Sequence, residues 1–243
     1  MNLHPPDILL SRAEPADLGR AVLFWLFHGW WYLLAAFLIG SIPFGLVVSR
    51  LFFKTDIRAS GSGNIGAANA LRTLGRGAGV SVLVLDALKG AAAVLLPLLA
   101  MERGWPPFHR AAVSGSLQVD GLREAAGPAM CAIAAILGHC YSPWLHFKGG
   151  KGVATFLGVL LAVSWPSALV FVAVWLAVVL PTGLSSLGSM LGTLGGIAAV
   201  AYLVGPPTLC FSVPAAAIIV WQHRANVSRL LAGRENRLNL LKR

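Results

Sequence analysis

Charge is scarce in this chain. Of 243 residues 12% are charged and 57% are hydrophobic, whereas soluble domains carry about a quarter charged residues. Nineteen Lys and Arg with nine Asp and Glu cannot clothe a water-soluble domain of this size, which leaves the bilayer as the natural solvent. Cysteine is also rare. Cys131, Cys140 and Cys210 are odd in number and lack metal-ligand spacing, which argues against a disulfide framework or a zinc site and fits small side chains in a membrane. There is no internal repeat and no low-complexity segment. No small-residue cleavage site follows a short apolar core, and Asp7, Glu14 and Asp17 precede the first apolar stretch, so residues 1–26 read as a retained extracytoplasmic lead and not as a signal peptide.

What remains is apolar sequence in long runs. At about 20 residues per spanning helix, breaks at charges, Gly and Pro define seven candidate helices, at 27–52, 79–100, 127–141, 152–163, 166–181, 185–203 and 208–222. The fold class expected is an all-α, polytopic transmembrane bundle of about seven spans. Residues 27–222 form its membrane domain and the basic tail 223–243 completes its site. The segments 127–141 and 152–163 are short enough to be tilted, interfacial or re-entrant.

Acidic residues are too few to balance the basic ones, and the net charge is +10. Such an excess suits nucleic acid, anionic lipid or a small anion, and its placement decides. The loop at 50–78 carries +4 (Arg50, Lys54, Arg58, Arg72 and Arg76 against Asp56), 139–152 carries +2 (Lys148 and Lys151), and 222–243 carries +5 (Arg224, Arg229, Arg234, Arg237, Lys242 and Arg243 against Glu235). The loop at 101–126 is neutral. With seven helices every basic segment falls on one side, the cytoplasmic one by the positive-inside rule, with the N-terminus outside and the C-terminus inside. Basic residues split by spans exclude a nucleic-acid binder.

Four segments on that side carry candidate chemistry. The first is G-S-G-N-I-G-A-A-N at 61–69, followed by Arg72. Gly61, Gly63 and Gly66 let backbone amides converge on an anion, with Ser62, Asn64 and Asn69 as polar neighbours. No strand pattern precedes it, so dinucleotide and Walker readings lack their context, and a flexible loop is the plain alternative. The second is F-K-G-G-K-G-V-A-T at 147–155, in which Lys148, Gly149, Gly150, Lys151 and Gly152 precede a helix start. Two ammonium groups, bare backbone and a helix N-terminus suit a phosphate, and anchoring a helix end at the membrane surface also accounts for the lysines.

The third segment is Asp86 with Lys89 on one helical face. Mutual neutralisation explains the pair, and Lys89 remains free to point toward an anion. The fourth is the inner boundary, where His223 and Asn226 lie one turn apart and Ser185 and Ser186 begin a helix at the same depth. An imidazole can accept a proton and an amide can orient an oxyanion; an interfacial His and simple capping are the bland readings. His139 and His146 flank the second segment and read as structural, while His4, His28 and His109 fall on the outer side.

On these residues the chain resembles the acyl-phosphate-dependent glycerol-3-phosphate 1-acyltransferase family, the integral-membrane PlsY type. The resemblance runs from Gly40 to Glu235, through G-S-I-P-F-G at 40–45, the 61–72 segment, D-A-L-K-G at 86–90, G-H at 138–139, the 147–155 segment, S-S-L-G at 185–188 and H-R-A-N-V-S-R-L at 223–230. Ala68 stands where the family usually has Thr. The resemblance implies transfer of a fatty acyl group from acyl phosphate to the 1-hydroxyl of sn-glycerol 3-phosphate, in phospholipid synthesis at the cytoplasmic face of a bacterial inner membrane.

It implies functional roles for Ser62, Arg72, His223 and Asn226, glycerol-phosphate binding at 149–152, and a structural role for Glu235. Its partners are the two substrates and membrane lipid, with no cofactor, metal or obligate protein partner. No His is followed five positions later by Asp, the arrangement of acyltransferases that use acyl-CoA or acyl carrier protein. A transporter of a small phosphorylated anion is the rival reading; transporters bind near the midplane, whereas these cations lie at one edge.

Overall fold

The computed structural model describes residues 15–106, 117–205 and 208–238. His4, Asp7, Glu14 and His109 lie outside the described residues, as does residues 107–116 of the outer loop. Every regular element among the described residues is helical. In chain order they are α1 (Pro15–His28), α2 (Trp30–Ser41), α3 (Phe44–Phe53), α4 (Ala67–Leu74), α5 (Arg76–Glu102), α6 (Leu117–Cys140), α7 (Val153–Val163), α8 (Trp165–Thr182), α9 (Ser185–Leu203), α10 (Leu209–Gln222) and α11 (Arg224–Leu231).

Among the described residues, five stretches are long and apolar enough to cross a membrane: Trp30–Phe53, Arg76–Glu102, Ala125–Leu145, Trp165–Thr182 and Ser185–Leu203. The expected helices at 152–163 and 208–222 are present as helices of 11 and 14 residues. The expected run 27–52 is interrupted twice. Gly29 separates α1 from α2, and Pro43, which cannot donate a helical hydrogen bond, holds Ile42 extended between α2 and α3. The expected short helix 127–141 is instead the C-terminal part of the 24-residue α6. Its first turns carry Asp120, Arg123 and Glu124, so its apolar run understates its length.

The expected lead also contains structure. In α1, Ala21 and Trp25 are fully buried against α6, and the Trp25 indole fills space that a Cβ on Gly29 or Gly127 would occupy.

Small residues set the helix crossings. A Cβ on Gly90 would strike the Thr155 carbonyl, and one on Gly158 the Ala87 carbonyl, so α5 and α7 meet backbone on backbone. Among the described residues the two largest apolar clusters span most of the helices. One joins α6 to α10 around Ile136, Phe156, Phe171 and Ile219; the other joins α1, α2, α5 and α6 around Trp25 and Ala135.

The break at Ile42–Pro43 is closed by side chains distant in sequence. Lys89 Nζ donates to the Ile42 carbonyl at 2.8 Å, Ser142 Oγ donates to the Ser41 carbonyl at 2.7 Å, and Trp144 Nε1 donates to Ser41 Oγ at 2.8 Å. At the other end of the chain, residues 234–238 return to the bundle, where the Leu238 amide donates to the Gly183 carbonyl at 2.6 Å.

Candidate active site

The segment 57–66 is folded around one side chain. Buried Asn69, near the start of α4, accepts from the Ser62 amide at 2.8 Å and donates through Nδ2 to the carbonyls of Ile57, Ser60 and Asn64 at 3.1, 3.1 and 2.8 Å. Gly61 has φ +62° and sits where a Cβ would strike Asn69 Oδ1. Asn64 Oδ1 accepts from the Gly66 amide at 3.0 Å, and Gly66 caps α4. Upstream, Asp56 accepts from Arg58 and Arg50, and these contacts, led by Arg58, hold its carboxyl well below the usual range.

The glycine-lysine segment 149–152 lies across the end of α6. The amides of Gly149 and Gly150 donate to the carbonyls of Cys140 and His139 at 3.0 and 2.9 Å. Gly152, at φ +84°, caps α7. Between α6 and this segment, His146 and Phe147 are both left-handed, at φ 51° and 60°, and Lys148 is exposed.

These pieces meet α9, α11 and the returning tail around a cavity of about 260 Å³. Lys151 Nζ donates to Asn226 Oδ1 at 2.6 Å. Asn226 Nδ2 donates to Glu235 Oε1 at 2.6 Å, and the same oxygen accepts from Ser186 Oγ at 2.9 Å. Glu235 Oε2 accepts from Arg229 Nε at 2.8 Å. Burial would raise the Glu235 carboxyl, but these donors hold it below the usual carboxylate range.

Burial, with repulsion from Arg229 and Arg72 against the pull of Glu235, lowers the Lys151 ammonium to about 8. Arg72, across the cavity, is lowered by burial, and its buried Nε has no hydrogen-bond partner among the described residues. His223 Nδ1 is 2.8 Å from the Ile219 carbonyl. A carbonyl only accepts, so Nδ1 carries the proton and Nε2 keeps its lone pair. Burial and nearby Lys151 push this imidazole down to about 4, and it is uncharged at neutral pH.

Of the residues singled out in the sequence, Ser62, Asn64, Gly66, Asn69, Arg72, Asp86, Lys151, Gly152, Ser185, Ser186, His223, Asn226 and Glu235 line this cavity. Gly61, Gly63, Lys89, Lys148, Gly149 and Gly150 do not. Lys89 turns away because Asp86, at 2.7 Å, and the Ile42 carbonyl hold its ammonium group. Lys148 is directed outward by the two left-handed residues before it. Asn69 is engaged at both ends of its amide and shapes the loop. Glu235, expected to be structural, sits within the polar wall.

His139 and Asn236 were not among the expected site residues, nor was an apolar wall of Leu83, Leu157, Phe171, Val172, Trp175 and Leu176. G-H next to the lysine segment was the available sign for His139. The apolar wall has none, since lipid-facing and cavity-facing Leu read alike in sequence. Chemically, the lining combines cations and hydrogen-bond donors for anionic oxygen with a wall of hydrocarbon. Leu83 and Leu176, on α5 and α8, line it and also reach the outer surface of the bundle.

A family model described as glycerol-3-phosphate acyltransferase matches residues 30–233. A glycerol-3-phosphate acyltransferase of Nitrobacter winogradskyi is 41% identical over 204 residues, covering 83% of this chain and 92% of the relative. One from Rhodopseudomonas palustris is 40% identical over 209 residues, covering 85% and 94%. Among solved structures, the glycerol 3-phosphate form of PlsY, an integral membrane glycerol 3-phosphate acyltransferase, superposes with a TM-score of 0.71 at 36% identity, covering 87% of this chain and 96% of that one. Its lysophosphatidic acid form superposes with a TM-score of 0.69 at 35% identity.

Proposed function

The chain belongs to the glycerol-3-phosphate acyltransferase family of integral membrane proteins, and from that premise we propose that it moves a fatty acyl group from acyl phosphate to the 1-hydroxyl of sn-glycerol 3-phosphate, releasing 1-acylglycerol 3-phosphate and inorganic phosphate. The observation that carries the reading is that one cavity is lined both by cationic groups, among them Arg72, whose Nε has no hydrogen-bond partner among the described residues, and by an apolar wall that includes the surface-reaching Leu83 and Leu176. Two phosphate-bearing molecules brought side by side repel one another, and a cleft that excludes water makes both the repulsion and its compensation stronger. Arg72, Lys151, Ser62 and the backbone at the start of α4 supply the compensation, with Ser185 and Ser186 beside them. Asn226 and Glu235 aim Lys151.

In the reaction the glycerol oxygen forms a bond to the acyl carbon and the bond from that carbon to the phosphate oxygen breaks. Phosphate is a good leaving group, so no covalent enzyme intermediate is required, and alignment of hydroxyl against carbonyl is the principal contribution. The hydroxyl proton goes to a phosphate oxygen. A phosphate ester with a second pKa of about 6 is a stronger base than an imidazole at about 4, so His223 positions its neighbours instead of taking the proton. Accordingly, His223→Gln keeps kcat within about tenfold of wild type, a loss too small for removal of a general base. A drop of several thousandfold in steady-state kcat would return the base role to His223.

The four polar segments share one end of the bundle, and three of them carry the chain's positive excess. By the positive-inside rule this supports a site at the cytoplasmic face, the family resemblance adds a bacterial inner membrane, and the spans number about seven if the short α7 and α10 both cross. In this arrangement 27–222 is the membrane domain and 223–243 closes the site.

The donor is tested with purified protein in detergent. Acyl phosphate with glycerol 3-phosphate yields phosphate and 1-acylglycerol 3-phosphate in equal amounts, and acyl-CoA or acyl carrier protein thioester yields neither. Product from a thioester would overturn the acyl-phosphate assignment. Turnover without a second compartment separates an enzyme from a carrier.

A further inference from the structure

Three buried ionisable side chains take no part in the chemistry above. Asp86, Lys89 and His139 are each no more than 4% exposed. Lys89 Nζ lies 2.7 Å from Asp86 Oδ1, and His139 Nδ1 approaches the same oxygen at 3.7 Å. Pairing accounts for the charge of Asp86 and Lys89 in a membrane bundle. It does not account for a third polar ring placed beneath the glycine-lysine segment. His139 meets that segment twice. Its carbonyl accepts from the Gly150 amide at 2.9 Å, and its imidazole occupies the space that a Cβ on Gly150 would need. A Cβ on Gly149 would strike the same carbonyl. The next residue along is Lys151, aimed at Asn226.

We propose that Asp86, Lys89 and His139 form a buried strut that positions Gly149 and Gly150 and, through them, the Lys151 ammonium group for glycerol 3-phosphate. Lys89, tied to the Ile42 carbonyl, fixes Asp86; Asp86 sets the imidazole; the imidazole sets Gly150. The three act here as positioning residues, Asp86 and His139 from the cavity wall, with no share in the proton transfer. The inference rests on Lys151 holding the glycerol phosphate.

The test is steady-state kinetics of the full chain in detergent with both substrates varied. His139→Ala raises KM for glycerol 3-phosphate about tenfold, with kcat and the donor KM changed less than about threefold, because misplacing one phosphate contact weakens one substrate. Asp86→Asn gives the same pattern at smaller amplitude. In a Lys151→Ala background, His139→Ala adds less than about twofold to that KM, since residues acting through one group are not additive.

Gly150→Ala alone also raises KM for glycerol 3-phosphate, and much of that loss disappears in the His139→Ala background, where the methyl group has room. Proportional loss of kcat and both KM values, or multiplicative effects of His139→Ala and Lys151→Ala, would overturn the strut. If Lys151→Ala itself leaves KM for glycerol 3-phosphate unchanged, the fault lies with the binding role of Lys151. Where His139→Ala does not fold, His139→Gln paired with Gly150→Ala makes the same comparison.

Discussion

Arg72→Ala lowers kcat/KM for glycerol 3-phosphate about a thousandfold, or ~4 kcal/mol of transition-state stabilisation, while the Tm of the ligand-free protein stays level or rises. The two effects have opposite signs for one reason. Arg72 is partly buried at the cavity, its Nε has no hydrogen-bond partner among the described residues, and burial opposes its charge while the carboxylate of Glu235 favours it. A cation desolvated without full compensation costs folding energy, and that cost is recovered when an anion arrives. Arg72→Lys restores little, because a single ammonium group cannot reproduce the planar fork of a guanidinium. Kinetics and thermal unfolding of the same preparations check both halves. A loss of activity under tenfold, or a loss that tracks a fall in Tm, would remove Arg72 from the substrate site.

Glu235→Gln lowers kcat/KM about a hundredfold at neutral pH, the scale expected when the shared acceptor of a buried polar network is lost, and it also moves the alkaline limb of the pH profile. The protonated Lys151 is the form that binds phosphate. Its folded pKa of about 8 makes wild-type kcat/KM fall as pH rises through that value, because kcat/KM reports the free enzyme. Glu235 is the carboxylate that opposes this depression, so removing its charge moves the fall toward neutral pH.

The stability effect has the other sign of dependence. The folded carboxyl of Glu235 is held below its usual range, so its contribution is complete at neutral pH and is lost only as pH falls through the lowered value. Profiles of kcat/KM between pH 6 and 10 for the two proteins decide the matter; a limb that stays in place assigns the wild-type fall to a group other than Lys151.

The segments that carry chemistry were legible because polar and glycine-rich residues stand out in an apolar chain. Ser62, Arg72, Lys151, His223 and Asn226 could each be marked before any fold was known, and the charge pattern placed them on one side. Their internal division was not legible. Lys148 and Lys151 are three residues apart and chemically alike, and only left-handed His146 and Phe147 separate an exposed lysine from one at the cavity. Glu235 reads in sequence as a structural acid in a basic tail, and its place in the cavity wall depends on the tail's return to Gly183, a long-range pairing with no local signal. Apolar length misled at α6, whose charged first turns hide a helix of 24 residues, and at 27–52, where hydrophobicity is continuous and backbone direction is not.

The interruption at Ile42–Pro43 bears on how the protein is made. Hydrocarbon offers nothing to a stray carbonyl; the Ile42 carbonyl accepts locally from the Phe44 amide, but its second donor, Lys89, and the donor to the Ser41 carbonyl, Ser142, are synthesised later. The first candidate span therefore has an elbow whose full set of partners comes from the second and third. The elbow between α2 and α3 is completed only when α5 and the end of α6 are in place.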